Sequence, residues 1–307
     1  MIKWTDWTKE EWDKNIEDFP FAERLNSIAQ LLSAEEALSI HKNYKTMSQK
    51  VRKNMHRGIE VFRILYSYEA ALLRGASRTF LDEGIIIHHD VFPDNIHQEV
   101  LDVCLKSPLS VNSGSATKIK GSSIERYFDT VKEYVFDAIG LDEPTQFWNT
   151  AFIQRLHKNS KGHLLDKSGR DVQLDAHADI FAPSLKWWYF PEDVYLEHGP
   201  LNYALKSCAP TETILKFWHR QSSEVCEGFA IPPWKEPGHS EGSLRVSSQE
   251  LESMGLEMTP IICKANTLVV ANVHGFHARG VAQDPETNIR NAVHGSIRTR
   301  PFESVRR

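Results

Sequence analysis

The chain has 307 residues, a formal net charge of −5, 41% hydrophobic residues and 25% charged residues. This composition is typical of a globular protein, and its acidic balance argues against a nucleic-acid partner, because nucleic-acid-binding domains are usually basic. The sequence has no apolar run long enough to span a bilayer and no signal-peptide core at its start. We therefore expect a cytoplasmic protein with no membrane partner, whose four cysteines are free thiols.

The first 75 residues have the pattern of helices. Phe62, Leu65, Tyr66 and Leu73 recur at the spacing of one apolar helix face. No comparable pattern of strands occurs in this part of the chain. We predict an N-terminal helical segment, residues 1–75, packed on a core domain of residues 76–307.

The core domain begins with a short buried strand and then a helix. The β-branched run at residues 85–87 follows a glycine and predicts the strand, and Phe92-Pro93 opens a helix that runs to about residue 105. From residue 147 onward short strands dominate. They are predicted at residues 147–156, 185–190, 267–273 and 290–298. This order predicts a β-rich α+β fold with a β-sandwich or barrel core and flanking helices.

A candidate metal site lies in the middle of the core domain. His177 and Asp179 are two residues apart, so on a strand they point to the same face. A histidine and a carboxylate are two of the three groups of the 2-His-1-carboxylate site that holds non-haem Fe(II). A surface strand with two polar residues would show the same short motif. His274, His277 and His294 are the candidates for the third ligand. His277 is favoured because it follows a buried strand and a glycine.

A keto-acid co-substrate would need a cation for its far carboxylate. Arginine suits this role because its planar guanidinium binds a carboxylate through two hydrogen bonds. Arg290 opens the last predicted strand, and Arg279 and Arg298 are the alternatives. Each of these arginines alone would also fit a surface ion pair. The order His-x-Asp, His, Arg favours the catalytic interpretation.

Three blocks of the sequence carry a resemblance to a known family. They are residues 80–105, then His177-Ala178-Asp179 with Gly199-Pro200-Leu201, and then residues 275–280 leading to Arg290. Together they resemble the phytanoyl-CoA dioxygenase-like family of Fe(II)- and 2-oxoglutarate-dependent oxygenases. The resemblance extends over roughly residues 78 to 302, and the helical residues 1–75 fall outside it.

The resemblance implies a fold, a set of site residues and a chemistry. The fold is a double-stranded β-helix, also called a jelly roll or cupin-like barrel. His177, Asp179 and His277 match the family's iron ligands, Arg290 matches the residue that binds the 2-oxoglutarate carboxylate, and Gln154 is a weaker match to a co-substrate contact. With Fe(II), 2-oxoglutarate and O2, the expected reaction is hydroxylation, desaturation or ring closure at an unactivated C–H bond of a small metabolite. Succinate and CO2 are released.

The chain also departs from the family. Where the family often has Pro-Gly-Ser-His, it has Leu205-Lys206-Ser207-Cys208, and residues 158–170 and 209–255 are segments of its own. The resemblance therefore does not extend to the substrate. Two other interpretations stay open. One is a different metal-dependent enzyme on a cupin-type barrel, and the other is a jelly-roll binding protein without turnover.

Overall fold

A computed structural model describes part of the core domain. The described residues are 76–107, 117–131, 133–135, 151–156, 171–178, 185–209, 211, 213–214, 216–217, 244–283 and 289–297. The predicted N-terminal helical segment lies outside these ranges, as do Asp179, Arg298 and Cys226. The other three cysteines are buried free thiols, as predicted. No helix in the described ranges is long and apolar enough to cross a membrane.

The strands of the described chain form two antiparallel sheets. In chain order the elements are α1 Arg78–Glu83, β1 Ile85–His88, α2 Asp94–Lys106, β2 Thr117–Lys118, a 3-10 helix Glu125–Asp129, β3 Phe152–Leu156, a 3-10 helix Val172–Leu174, β4 His177–Ala178, β5 Leu185–Phe190, β6 Leu201–Ala204, β7 Leu244–Arg245, α3 Ser248–Ser253, β8 Met258–Pro260, β9 Thr267–Asn272, β10 His277–Arg279 and β11 Arg290–Ile297. One sheet has the order β1-β9-β5-β11-β3-β2, and the other has the order β7-β4-β10-β6-β8.

The strand pairing is nested, and this defines the fold. Strand β3 pairs with β11, β4 with β10, β5 with β9 and β6 with β8. From β3 to β6 successive strands alternate between the two sheets, and from β8 to β11 they return in the same way. This is the topology of a jelly roll, in which an antiparallel ribbon is wrapped into two facing sheets. The predicted double-stranded β-helix is therefore confirmed.

Helices cover the outer face of the larger sheet. Outward-facing side chains of β5, β9 and β11 pack against α1, α2 and the 3-10 helix that follows them, in one buried apolar cluster. The Phe128 ring stacks on Trp187 at a centroid distance of 5.4 Å. Gly295 makes room for this indole, since a Cβ there would lie 2.6 Å from the ring. The predicted flanking helices are thus confirmed for the described part of the chain.

A buried polar network joins α2 to the same sheet. The hydroxyl of Tyr189 lies 2.7 Å from Nδ1 of His97 and 3.0 Å from Oδ1 of Asn266. The Asn266 amide also accepts from the N–H of Phe92 and donates to its carbonyl oxygen. Asn266 itself has a φ of 59°, in the left-handed region that asparagine tolerates better than most residues. This network holds the start of α2 against the barrel.

Candidate metal and co-substrate site

The structure places two of the predicted site residues side by side. His177 on β4 and His277 on β10 are directly opposite each other in the antiparallel register. Both are buried, and their ring centroids are 4.5 Å apart. Directly opposite residues on paired strands point to the same face. The same face of β6 carries Tyr203, which is opposite His277 and belongs to the apolar cluster between the sheets. The two imidazoles therefore face the interior of the barrel.

Hydrogen bonds to the backbone set the tautomer of both rings. Nδ1 of His177 lies 2.8 Å from the carbonyl oxygen of Asp175, and Nδ1 of His277 lies 3.0 Å from that of Gly275. A carbonyl oxygen only accepts, so each Nδ1 carries the proton and, in a neutral ring, each Nε2 carries the lone pair. Metal-binding histidines commonly show this arrangement. The two residues therefore fit a transition-metal ion bound through their Nε2 atoms.

The other candidate ligands are placed differently. His274 lies in the turn before β10, where its backbone N–H donates to Oδ1 of Asn272. The residue directly opposite His177 in the strand register is His277, not His274. His294 lies on β11 in the facing sheet. Within the described ranges no three His, Cys, Asp or Glu side chains form a metal-binding group. A third protein ligand would have to come from outside them, where Asp179 lies.

Arg290 is a buried cation without a counterion in the described part of the chain. It opens β11 and is only 6% exposed. Its Nε and Nη1 atoms have no hydrogen-bond partner among the described residues. Burial, reinforced by the nearby positive charge of Arg279, lowers the pKa of Arg290 from 12.5 to about 10. A guanidinium in this state is charged at neutral pH, and its N–H groups are available to an anionic ligand.

Arg279 differs because it already has a carboxylate partner. It donates to Asp171 in an ion pair between largely buried side chains. Asp171 directly precedes the 3-10 helix that leads to His177, and Arg279 is two residues after His277. The ion pair therefore joins the two segments that carry the histidines. Of the three arginines considered from the sequence, Arg279 is neutralised, Arg298 lies outside the described residues, and Arg290 has the features of a carboxylate site.

Among the described residues, side chains between the sheets are buried at one end and partly exposed at the other. Inner-face side chains at the closed end are buried: Leu156, Phe190, Arg290 and Ala292. Those farther along the same strands are partly exposed: Phe152, Gln154, Lys186, Trp188 and His294. The strand register places Gln154 beside Ala292, in the row next to Arg290. We infer a pocket with Arg290 at its closed end and Gln154 on its wall.

His294 lies in the open part of this pocket, between two aromatic residues. The register puts Phe152 on one side and Trp188 on the other, and the Phe152 ring stacks on the imidazole at 5.7 Å. Although its edge is partly exposed, the imidazole is largely desolvated between its neighbours. This desolvation, followed by the positive charges of Lys186 and Arg290, lowers the pKa of His294 to about 3. The ring is therefore neutral at physiological pH and offers one donor and one acceptor to a ligand.

Sequence reasoning did not identify two residues that support this site, Asp171 and Tyr203. Asp171 belongs to no motif and reaches Arg279 across 108 residues of sequence. In the sequence, Tyr203 is indistinguishable from other apolar strand residues. Its contacts with His277 and Asn272 form only in the folded chain. The small residues around it, Gly84 and Gly275, were the available sequence signal. A glycine beside a buried strand often marks a close approach of another group.

The comparisons with known proteins give similar folds. No protein-family model and no curated protein matches the sequence. Among solved structures, the chain is similar to the epimerase SnoN in complex with Fe3+, alpha ketoglutarate and nogalamycin RO, at 13% identity, with 74% of this chain and 83% of that chain covered and a TM-score of 0.46.

Two further structures are similar at the same level. The carbocyclase SnoK from nogalamycin biosynthesis matches at 10% identity, 72% and 82% coverage and a TM-score of 0.44. HygX from Streptomyces hygroscopicus, with nickel and 2-oxoglutarate bound, matches at 15% identity, 71% and 82% coverage and a TM-score of 0.39. Similarity this low does not define the chemistry of this chain, which has to come from its own residues.

Proposed function

We propose that the protein is an Fe(II)- and 2-oxoglutarate-dependent oxygenase that acts on a small metabolite. The observation that carries this proposal is the buried Arg290 guanidinium, which has no counterion in the described chain and lies in a barrel whose facing sheet bears the His177–His277 pair. Facing sheets pack about 10 Å apart, so side chains on their two inner faces can contact one small ligand between them. The phytanoyl-CoA dioxygenase-like assignment belongs to this proposal and rests on the sequence blocks.

Each residue has a distinct role in this proposal. His177 and His277 hold the iron through Nε2, and Asp179 supplies the carboxylate ligand. Arg290 binds the far carboxylate of 2-oxoglutarate through two N–H groups, and Gln154 contacts the co-substrate from β3. When bound, the iron with 2-oxoglutarate and O2 supplies the oxidation of a C–H bond, with release of succinate and CO2.

The protein's own contribution to turnover is positioning and exclusion of water. Phe152 and Trp188 provide apolar walls for the substrate, and the neutral imidazole of His294 offers it a donor and an acceptor. The buried apolar cluster around Phe190 closes the other end of the pocket. A substrate held this way presents one C–H bond toward the histidine pair while water is kept from the closed end.

Anaerobic titration tests the co-substrate half of the proposal. Fe(II) protein that receives 2-oxoglutarate should develop a visible charge-transfer band. The Arg290→Ala variant should bind Fe(II) but fail to develop the band, and His177→Ala should fail to retain Fe(II). A wild-type protein that binds Fe(II) tightly but gives no band would refute the proposal and favour another metal-dependent cupin-type enzyme.

A succinate-release screen tests turnover. A library of small metabolites is incubated with Fe(II), 2-oxoglutarate and O2, with His177→Ala as the blank. We expect at least one compound to increase succinate release above the blank. The mass of that compound should increase by one oxygen atom after hydroxylation, or decrease by two hydrogen atoms after desaturation or ring closure. Formation of the charge-transfer band without any substrate-dependent succinate would instead favour a jelly-roll binding protein.

A further inference from the structure

We propose that Tyr203 is a positioning residue for His277, because its hydroxyl anchors the turn whose last carbonyl orients the imidazole. This inference rests on the proposed function, since it treats His277 as a metal ligand. Tyr203 is fully buried on β6 and lies directly opposite His277 in the register. Its ring packs in the cluster between the sheets, while its hydroxyl extends to the turn that precedes β10.

The turn before His277 is held at several points. The Tyr203 hydroxyl donates to the carbonyl oxygen of Asn272 at 2.8 Å. The same carbonyl accepts from the N–H of Gly275, and Oδ1 of Asn272 accepts from the N–H of His274. The carbonyl of Gly275 in turn accepts from Nδ1 of His277. A chain of contacts therefore links the Tyr203 hydroxyl, through Asn272 and Gly275, to Nδ1 of His277, where the proton of the imidazole is held.

Glycines make this approach possible. A Cβ on Gly275 or on Gly84 would collide with the Tyr203 hydroxyl, so the hydroxyl occupies space that side chains at both positions would need. Position 84 also favours glycine for its backbone conformation, because its φ of +82° lies in the left-handed region. Its carbonyl accepts from the N–H of Asn272, so the backbone on both sides of the hydroxyl is fixed.

The segment that departs from the family pattern completes this arrangement. Lys206 adopts a φ of 66°, the left-handed conformation that a glycine would favour at this position. Oγ of Ser207 accepts from the N–H of Phe276 at 2.8 Å. Sγ of Cys208 lies beside the Tyr203 hydroxyl and donates to the carbonyl of Leu81. The Ser207 contact thus holds Phe276, the residue that immediately precedes His277.

Removal of the hydroxyl alone tests the proposal. Tyr203→Phe keeps the ring and the packing, and Tyr189→Phe is its matched control, because Tyr189 is equally buried but its hydroxyl bonds to His97 and Asn266 on the helix side of the sheet. Co(II) affinity is measured by chelator competition. We expect the affinity to fall about tenfold or more in Tyr203→Phe, the usual effect of losing a group that orients a ligand, and to stay unchanged in Tyr189→Phe.

Proton NMR of the Co(II) protein gives a readout that depends on ring orientation. Two imidazole N–H signals shifted by the metal are expected, one from each histidine. In Tyr203→Phe the signal from His277 should broaden and exchange faster with water. The signal from His177 should not change, because its Nδ1–H bonds to Asp175, and it serves as the internal control.

The outcomes separate this inference from the proposed function. Wild-type protein that binds neither Co(II) nor Fe(II) would refute the proposed function itself. Wild-type metal affinity with two unchanged N–H signals in Tyr203→Phe would overturn only the role of Tyr203. If that variant does not fold, Ser207→Ala tests the same turn through the N–H of Phe276, and unchanged Co(II) affinity there would overturn the inference.

Discussion

Replacing Arg290 by methionine is expected to stabilise the ligand-free protein while abolishing 2-oxoglutarate binding. Methionine keeps the length and apolar contacts of the side chain and removes a buried charge. A pKa lowered from 12.5 to about 10 corresponds, at about 1.4 kcal/mol per pH unit, to roughly 3 kcal/mol against the charged form in the folded protein. This cost applies at every pH below the folded-state pKa, so the gain should be complete at pH 7.

Arg279→Met is the matched control and should have the opposite sign. Arg279 is also largely buried, but its removal leaves the carboxylate of Asp171 in the interior without this guanidinium. Breaking a buried ion pair typically costs about 3–5 kcal/mol. Both variants replace arginine by methionine, and both relieve the repulsion between the two guanidinium groups. The sign of each change in unfolding free energy therefore reports whether a counterion has been left behind.

Denaturant unfolding of the metal-free variants measures both effects, and repetition with Fe(II) and 2-oxoglutarate under nitrogen measures binding. The co-substrate at 100 times its Kd should stabilise the wild-type protein by about 2.7 kcal/mol and should not stabilise Arg290→Met. An Arg290→Met protein that is less stable than wild type by as much as Arg279→Met would refute the claim, made from the described residues, that no carboxylate neutralises Arg290. A co-substrate effect retained in Arg290→Met would refute its proposed role.

Three further predictions concern stability. The depressed pKa of His294 means that the unfolded chain takes up a proton near pH 6.5 while the folded protein does not, so stability should fall as the pH drops below 6.5. The loss should reach about 2 kcal/mol at pH 5 and be absent in His294→Leu, and equal pH dependence in both proteins would contradict it. In denaturant titrations Asn266→Ala should lower the free energy of unfolding by about 1 kcal/mol more than Asn266→Gly. Both variants lose the bonds to Phe92, but glycine adopts the positive φ of this position without strain. Equal losses would show that the positive φ has no effect on stability there. Gly295→Ala should destabilise by about 1–3 kcal/mol because its Cβ meets the Trp187 indole, and a neutral effect on Tm would mean that the indole can shift.

Local patterns in the sequence predicted the individual strands but not their partners. The apolar runs that became β5 and β9 were evident because buried strands need consecutive apolar residues. Their pairing in nested order depends on contacts between distant segments, and the family resemblance supplied it. The predicted strand at residues 290–298 likewise matches β11 as far as Ile297.

The site was predictable in residue type and less so in detail. His177 and His277 were chosen from spacing and order, and only the register shows that they are direct cross-strand neighbours. The sequence favoured Arg290 over Arg279 only through its place at the start of the last predicted strand and through the family resemblance. The two arginines differ because Asp171 reaches one of them and not the other, which is a property of the folded chain. The carboxylate role of Asp179 stays a prediction.

The nested strand order has a consequence for how the protein reaches its native state. Strands β3 (Phe152–Leu156) and β11 (Arg290–Ile297) pair in register although they lie far apart in the sequence, so the chain must close a long loop before they meet. High contact order of this kind slows folding. The histidines come together only when β4 and β10 have joined, so a metal ion held by both could not act as an early nucleus. The barrel must form first from its apolar contacts, and such an ion would bind only after the chain has folded.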